Sequence, residues 1–329
     1  MTRAEFAVLG AGAIGSILAA HLARAGHSVI VMARGDRARA VERDGLRIKG
    51  LADFSVKVPV LTDPTQLLAA DTFIVAMKTP GTDAALERLQ HVEVGAALSI
   101  QNGVLKNELL ARAFGPDRVL GALADTSGEL LPSGEVLFTR NVKLPLGELA
   151  GGPSERARRI AGMIDEAGIR SVAVTDILSL EWSKFTVWLA LVSLAVTTRS
   201  ATWRYLSDAD GAQLLVRLVR ETAQLARAQG IALVDGATTL PLRRILETSE
   251  PDAVEAVRRA GEDMRSRAPG HRISALQDLE AGRPLEVEET FGHAVRKARE
   301  LGLSLPLLDG CYHLMAAIDR IPRNPHLGA

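Results

Sequence analysis

A glycine-rich loop between an apolar strand and a helix is the feature that most restricts the fold of this chain. Residues 5–9 read EFAVL, GAGAIG follows at 10–15, and SILAAHLARAG continues as a predicted helix. The spacing G-x-G-x-x-G in this strand–loop–helix setting is typical of dinucleotide binding, because the helix N-terminus then faces a pyrophosphate. The loop residues predicted to bind the cofactor are Gly10, Gly12, Ala13, Ile14 and Gly15. The alternative is a glycine-rich turn that binds no ligand.

Strand and helix patterns alternate after this loop and then give way to helices alone. Apolar segments at 70–78 and 95–103 are typical of buried parallel strands, and 118–149 predicts strands joined by a tight turn at PSG. We therefore expect an α/β unit, 1–175, with a Rossmann-type parallel sheet and an antiparallel extension. An all-helical unit, 176–329, follows it. Its helices are predicted at 177–199, 207–230, 238–248, 251–265, 271–281, 286–302 and 305–320.

Charge and cysteine content narrow the class of protein. Lys plus Arg and Asp plus Glu number 39 each, so no net field attracts nucleic acid or an anionic membrane. The single cysteine, Cys311, excludes a disulfide framework and fits a reducing, cytoplasmic compartment. The N-terminus does not resemble a signal peptide. Fourteen uncharged residues follow Lys184, a run that we expect to be too short to cross a bilayer and to form a buried helix.

The residue at the end of the second predicted strand indicates which dinucleotide binds. An NAD site usually has an acid there, which binds the ribose 2′-hydroxyl. Here HSVIVMA ends in Arg34, whose guanidinium suits the 2′-phosphate of NADP. Two alternatives stay open: Asp36 is the acid of an NAD site, or Arg34 is only a solvated charge.

Several motifs spread over nearly the whole chain occur in a characteristic order. They are GAGAIG at 10–15, Arg34, MKTP at 77–80, QNGV at 101–104, EWSKF at 181–185, SALQDLEAGRPLEVE at 274–288 and LGLSLP at 301–306. Together they resemble the ketopantoate reductases (2-dehydropantoate 2-reductases). The resemblance implies NADPH-dependent reduction of a 2-oxo acid to a 2-hydroxy acid, and with it pantothenate biosynthesis.

The resemblance also implies roles for individual residues. Lys78 matches a lysine that contacts the cofactor, and Asn102 an asparagine beside the nicotinamide and substrate. Lys184 matches the catalytic lysine, while Ser274 and Glu286 match residues that face the substrate cleft between the domains. An ammonium group there would protonate the oxygen formed by hydride addition, and a carboxylate would hold it in place.

Each of these residues also has a structural interpretation. Lys184 could extend to water from a helix start, and Lys78 could be a solvated strand end. Asn102 could serve only a turn with Gly103. Ser274 could cap a helix and Glu286 could sit in the first turn of the next one.

The chain departs from the resemblance at the positions that would bind a polar substrate. Asparagines of the family, four and eight residues after the lysine and in the following loop, are replaced by Trp188, Val192 and Thr202. Phe291 replaces a further one, before Gly292. Positions 188 and 192 share a helix face with Lys184, so we expect Trp188 at the substrate and a substrate more apolar than 2-dehydropantoate.

The sequence also leaves other interpretations of the function open. Arg199 and Arg204 could anchor a carboxylate or be helix-end surface charges. An imine or opine-type reductase on the same scaffold, or a dinucleotide-binding sensor without turnover, would share most motifs. No metal site is expected, and the predicted helix 207–230 is a candidate interface for a homodimer.

Overall fold

The computed structural model describes residues 2–321. Its backbone contacts divide the chain into two compact units, residues 1–178 and 179–329. The assignment of the cofactor to the first unit and the substrate to the second stays a prediction.

The first unit is a mixed sheet with helices between its strands, which confirms the predicted fold class. Its strands are β1 Thr2–Leu9, β2 Val29–Met32, β3 Leu46–Gly50, β4 Phe54–Val56, β5 Val60–Leu61, β6 Leu67–Val75, β7 Glu93–Ser99, β8 Val119–Ala122, β9 Asp125–Leu130, β10 Val136–Glu148 and β11 Ser171–Ala173. Its helices are α1 Ala13–Arg24, α2 Gly35–Asp44, α3 Thr82–Glu87, α4 Leu105–Phe114 and α5 Glu155–Glu166.

The order of the strands places three loops side by side. The main path runs β4-β3-β10-β8-β7-β6-β1-β2-β5, and every pair from β8 to β5 is parallel. Leu9, Val75 and Ser99 occupy one register row at the ends of β1, β6 and β7. β2 lies on one side of β1 in the sheet, and β6 lies on the other side. Open α/β sheets bind ligands at such a point, where the strand order reverses.

Alternating side chains of the central strands fill a separate apolar core on each face of the sheet. Val8 of β1 and Ile74 of β6 belong to one core, and their neighbours Ala7 and Phe73 belong to the other. Successive residues of a strand point to opposite faces. A strand buried on both faces must be apolar throughout, which explains the continuous runs in the sequence.

The antiparallel extension forms around β10, as predicted. β9 and β10 pair antiparallel, and β10 also pairs antiparallel with β8. The tight turn between them closes at Gly134, which has a φ of +81° and donates its N–H to the carbonyl of Leu131 at 2.9 Å. The same strand pairs parallel with β3 and β11, so it joins the hairpin to the main sheet.

Some boundaries differ from the sequence predictions. The strands predicted at 70–78 and 95–103 end earlier, at Val75 and Ser99. The sequence patterns predicted no element over 35–66, which forms α2, β3, β4 and β5. These three strands have only two to five residues, too few to establish a periodic pattern.

The second unit, over its described residues 179–321, contains helices, turns and loops but no strand. A π-helical turn, Glu288–Gly292, leads directly into α12. The helices are α6 Ile177–Thr198, which begins at the end of the first unit, α7 Thr202–Ser207, α8 Ala209–Ala228, α9 Leu242–Glu247, α10 Glu250–Arg267, α11 Ser274–Glu280, α12 His293–Glu300 and α13 Pro306–Arg320.

The prediction of one helix over 207–230 was wrong at its start. The Asp208 carboxylate accepts the N–H of Gly211 at 2.8 Å and caps α8, which begins at Ala209. The preceding residues form the separate short helix α7. Aspartate at an N-cap satisfies a helix-end donor that has no partner within the helix, so Asp208 separates the two helices.

Helix α6 is a core helix of its unit. The fourteen uncharged residues belong to a helix of 22 residues, which by length and composition alone could cross a membrane. However, 78% of its most apolar window is buried inside the structure. Burial, rather than length, therefore explains the lack of charge after Lys184.

Candidate active site

Two glycines of the loop lie too close to neighbouring backbone atoms to carry a side chain, and the third faces open space. Gly10 has a φ of +110°, and a Cβ there would lie 2.6 Å from the backbone nitrogen of Met77. A Cβ on Gly15 would lie 2.1 Å from the carbonyl oxygen of Gly10. Neither position can accept a side chain in this backbone, which fits the packing of helix on strand.

Gly12 differs from the other two glycines, because a Cβ there would meet no atom within 4 Å. It is the N-cap of α1. No side chain caps this helix end, and the first turn of α1 contains no acidic residue. A helix N-terminus with open space before it suits a phosphate group. The loop therefore fits the pyrophosphate of a dinucleotide, with Ala13 and Ile14 as the first two residues of the helix.

The end of β2 carries two exposed charges of opposite sign. Arg34 is exposed and is the N-cap of α2. Asp36, in the first turn of α2, forms an ion pair with Arg39 on the solvent side. The carboxylate that would serve an NAD site thus already has a cationic partner, although exposed pairs of this kind are weak.

Arg37 is a residue of this loop region that sequence reasoning missed. Its Nε donates to the carbonyl of Ala11 at 2.7 Å, and its terminal nitrogens donate to Ser16 Oγ and the carbonyl of Gly134, both at 2.9 Å. Burial, and then the charge of Arg47, lower its pKa. Its position three residues after Arg34 was the only available signal, and that spacing alone does not identify a contact with the glycine loop.

Buried polar side chains tie the loops after β6 and β7 together. Gln101 donates from its amide to the carbonyl of Met77 at 2.9 Å and to Thr82 Oγ1 at 2.7 Å, and accepts from Ser99 Oγ at 2.9 Å. Lys106, only 4% exposed, donates to the carbonyls of Ser99 (3.0 Å) and Ala122. The sequence did not reveal these roles, because the partners are mostly backbone atoms.

Lys78 and Asn102 lie on these two loops, at the edge where β1 also ends. Lys78 is exposed, three residues beyond the end of β6. Asn102 is half-buried and precedes Gly103, whose φ of +83° produces a turn before α4. The turn interpretation of Asn102 thus describes its backbone, while its side chain stays a predicted contact of cofactor and substrate.

The helical unit contains a small pocket that gathers residues from distant parts of the sequence. Its volume is about 10 Å³, close to that of one water position. It is mostly apolar, with carboxylates from Asp278 and Glu286. The lining residues are Trp188, Val192, Ala275, Asp278, Leu285, Glu286, Val287, Thr290, Phe291 and Met315.

Three of the four residues at which the sequence departs from the ketopantoate reductase pattern line this pocket. Trp188, Val192 and Phe291 all line it, beside the predicted catalytic Glu286. The fourth, Thr202, is bonded to His271 instead, through its N–H at 2.9 Å to the carbonyl and its Oγ1 at 3.0 Å to Nδ1. Thr202 therefore joins α7 to the loop before α11.

Lys184 lies one helical turn before Trp188 on α6 and is half-buried. Residues four apart share a helix face, so the lysine stands next to the indole that lines the pocket. Ser274 is exposed at the start of α11, where Ile273 rather than Ser274 occupies the N-cap. The capping interpretation of Ser274 does not apply in this geometry.

The two arginines after α6 have different environments. Arg204 is exposed, and its guanidinium lies 5.1 Å from the ring centroid of Trp203. Arg199 is exposed and has a φ of +48°, unusual for a residue with a side chain. These positions fit helix-end surface charges, one of the two interpretations that the sequence left open.

The fold and loops define a class: a dinucleotide-binding α/β unit joined to an all-helical unit. The ketopantoate reductase PanE/ApbA family profile matches residues 6–151, and its C-terminal profile matches 176–319. The chain is 30% identical over 312 residues to a 2-dehydropantoate 2-reductase of Archaeoglobus fulgidus, covering 95% of this chain and 97% of the relative. The chain therefore belongs to the ketopantoate reductase family.

Solved structures agree in fold. A PanE/ApbA family ketopantoate reductase from Ralstonia eutropha superposes with a TM-score of 0.80 at 25% identity, over 97% of this chain and 98% of that one. A D-mandelate dehydrogenase, solved with NADH and anilino(oxo)acetate, gives a TM-score of 0.81 at 18% identity over 97% and 98% of the two chains. The second likeness extends to the fold alone.

Proposed function

We propose that this chain reduces a 2-oxo acid to the 2-hydroxy acid with NADPH. The observation that carries the proposal is the pocket in the helical unit, which Trp188 of α6 and Glu286 line together, with Lys184 one helical turn before Trp188. A ketone that accepts a hydride also needs a proton, and these residues offer an ammonium and a carboxylate. Family membership supports the oxidoreductase class.

Lys184 acts as the general acid in this proposal. A nicotinamide, when bound, would supply the hydride to the carbonyl carbon, so that negative charge develops on the ketone oxygen. The ammonium of Lys184 stabilises that charge and gives up a proton to the oxygen. Glu286 orients the ammonium, Ser274 and Asn102 bind the substrate, and Lys78 contacts the cofactor.

Arg34 supports NADPH rather than NADH. Its guanidinium is exposed at the end of β2, while the competing acid Asp36 is paired with Arg39. A guanidinium binds a phosphate through two parallel hydrogen bonds, and the ribose 2′-hydroxyl of NADH gives it no charge to pair with. We therefore propose Arg34 as the 2′-phosphate ligand.

The substrate is 2-dehydropantoate or a more apolar 2-oxo acid. Relatives named as 2-dehydropantoate 2-reductases favour the first, with pantothenate biosynthesis as the pathway. Trp188, Val192 and Phe291 favour the second, because they put apolar surface where a hydroxyl would need a partner. A homodimer in the cytoplasm stays a prediction.

The test is oxidation of NADPH and NADH over a panel of 2-oxo acids that includes 2-dehydropantoate and 2-oxoisovalerate. The panel also includes 2-oxo acids mixed with amines, which an imine or opine-type reductase would use. We expect NADPH oxidation with 2-oxo acids alone, and loss of most of the NADPH preference in Arg34→Ala. Tight NADPH binding without turnover on any member would support a sensor and contradict the proposal.

A further inference from the structure

The Arg37 guanidinium connects three pieces of the first unit that are far apart in sequence. It donates to Ala11 inside the glycine loop at 2.7 Å, to Ser16 on α1 at 2.9 Å and to Gly134 in the β9–β10 turn at 2.9 Å. Ser16 Oγ in turn donates to the same Ala11 carbonyl at 3.0 Å. Two donors therefore converge on one carbonyl oxygen of the loop.

This convergence fixes the orientation of one peptide group. A trans peptide is planar, so its C=O and its N–H point in opposite directions. The carbonyl of Ala11 is held toward Arg37 and Ser16, so the N–H of the same peptide, which belongs to Gly12, points away from them. Gly12 is the loop position whose Cβ direction is open.

The guanidinium of Arg37 donates its hydrogen bonds to neutral acceptors. Among the described residues 2–321, its hydrogen bonds go to two carbonyls and a hydroxyl, and no carboxylate pairs with it. A second guanidinium, that of Arg47, donates to the carbonyl of Ser133 in the same turn. The hairpin turn is thus held by two cations, one of which also reaches the glycine loop.

We propose that Arg37 is a positioning residue for cofactor binding, which holds the Ala11–Gly12 peptide so that its N–H faces the pyrophosphate. The inference rests on the proposed function, since it assumes a dinucleotide at the glycine loop. Arg37 acts through the peptide rather than by touching the cofactor. Without it, the Ala11 carbonyl can turn toward the phosphates and repel them.

The experiment compares Arg37→Met with Arg43→Met, a matched change at an exposed position of the same helix, remote from Arg34 and Asp36. Dissociation constants are measured for NADPH and for adenosine 2′-monophosphate, which carries the 2′-phosphate but no pyrophosphate. Hydrogen–deuterium exchange of the ligand-free protein follows the amides of residues 10–16. Arg37→Lys tests whether charge without the forked geometry is sufficient.

We expect Arg37→Met to weaken NADPH binding about tenfold or more, the scale of losing a charged hydrogen bond. Binding of adenosine 2′-monophosphate should change less than about twofold on the same scale. Exchange in the loop should accelerate, Arg37→Lys should restore only part of the affinity, and Arg43→Met should match the wild type.

Two results would overturn the inference: unchanged NADPH affinity in Arg37→Met, or equal weakening of both ligands, which would mean direct contact with the 2′-phosphate. If Arg37→Met is too unstable to measure, Ser16→Ala removes the other donor to Ala11, and it should also weaken NADPH selectively. A wild type that binds neither NADPH nor NADH would refute the proposed function instead.

Discussion

The glycine loop and the helical pocket are built on different principles. In the loop, backbone geometry decides what can bind: Gly10 and Gly15 admit no side chain, and Arg37 orients a peptide group. In the pocket, side chains decide, and Trp188 and Phe291 leave little volume. A backbone-defined site tolerates few changes, whereas a side-chain-defined site can change its ligand with single substitutions.

The largest expected effect separates chemistry from cofactor binding. Lys184→Ala should lower turnover by roughly 10²–10⁴, the range for a lost general acid, and leave NADPH affinity nearly intact. Steady-state kinetics and binding titrations measure the two quantities, with Lys297→Ala on α12 as the control lysine. Near-normal turnover would mean that Lys184, which lies inside α6 rather than at its start, only extends to water.

The glycines test whether the loop is defined by its backbone. Gly12→Ala should leave thermal stability unchanged, because its Cβ meets no protein atom within 4 Å. It should weaken NADPH binding by about tenfold to a hundredfold, since the methyl group occupies the approach of the pyrophosphate.

Gly15→Ala is the matched contrast, because its Cβ would collide with the Gly10 carbonyl. It should lower the melting temperature first and binding only as a consequence. Calorimetry and NADPH titration of both variants decide the matter, and equal NADPH binding by Gly12→Ala and wild type would contradict the assignment of the loop.

The pocket is tested by its substrate preference. If Trp188 stands where a polar contact would be, the 2-dehydropantoate hydroxyl lacks a partner at a cost of about 1–3 kcal/mol. That cost is roughly tenfold to a hundredfold in kcat/KM relative to 2-oxoisovalerate. Trp188→Asn should shift the ratio toward 2-dehydropantoate, and efficient reduction of 2-dehydropantoate by the wild type would refute the idea.

Much of the cofactor site could be predicted from the sequence, and much less of the pocket. The motif GAGAIG predicts the backbone conformation of the loop, because the spacing of its glycines between a strand and a helix determines the turn. Thr202 shows the limit: it matches a substrate position in the family, yet it bonds to His271. Arg37 and Gln101 were missed because their hydrogen-bond partners are backbone carbonyls and hydroxyls, which leave no charge or spacing pattern in the sequence.

The smallest expected effect concerns stability of the first unit. His21 is 7% exposed, its Nδ1–H donates to the carbonyl of Ala167 at 2.9 Å, and burial lowers its pKa. The unfolded chain, with an ordinary pKa of about 6.5, therefore takes up a proton first on acidification. This contribution to stability is present above about pH 6.5 and is lost as the pH falls toward the lowered pKa.

Chemical denaturation at several pH values measures that loss. His21→Phe should keep the edge-on contacts with Phe54 and Phe138 and show a shallower decline of unfolding free energy with acid. The surface variant His313→Gln should follow the wild type. Parallel pH curves for wild type and His21→Phe would show that His21 does not titrate on unfolding.

The π-helical turn at Glu288–Gly292 separates the lining of the pocket from the packing of α12. In one continuous α-helix the orientations of the two sets of residues would be fixed relative to each other. Each residue advances an α-helix by about 100°, so a wider turn rotates the residues before it relative to the helix after it. Phe291 can thus line the pocket while Val295 and Ala298 of α12 keep their buried positions. Substitutions of pocket residues in this turn should therefore leave the packing of α12 unchanged.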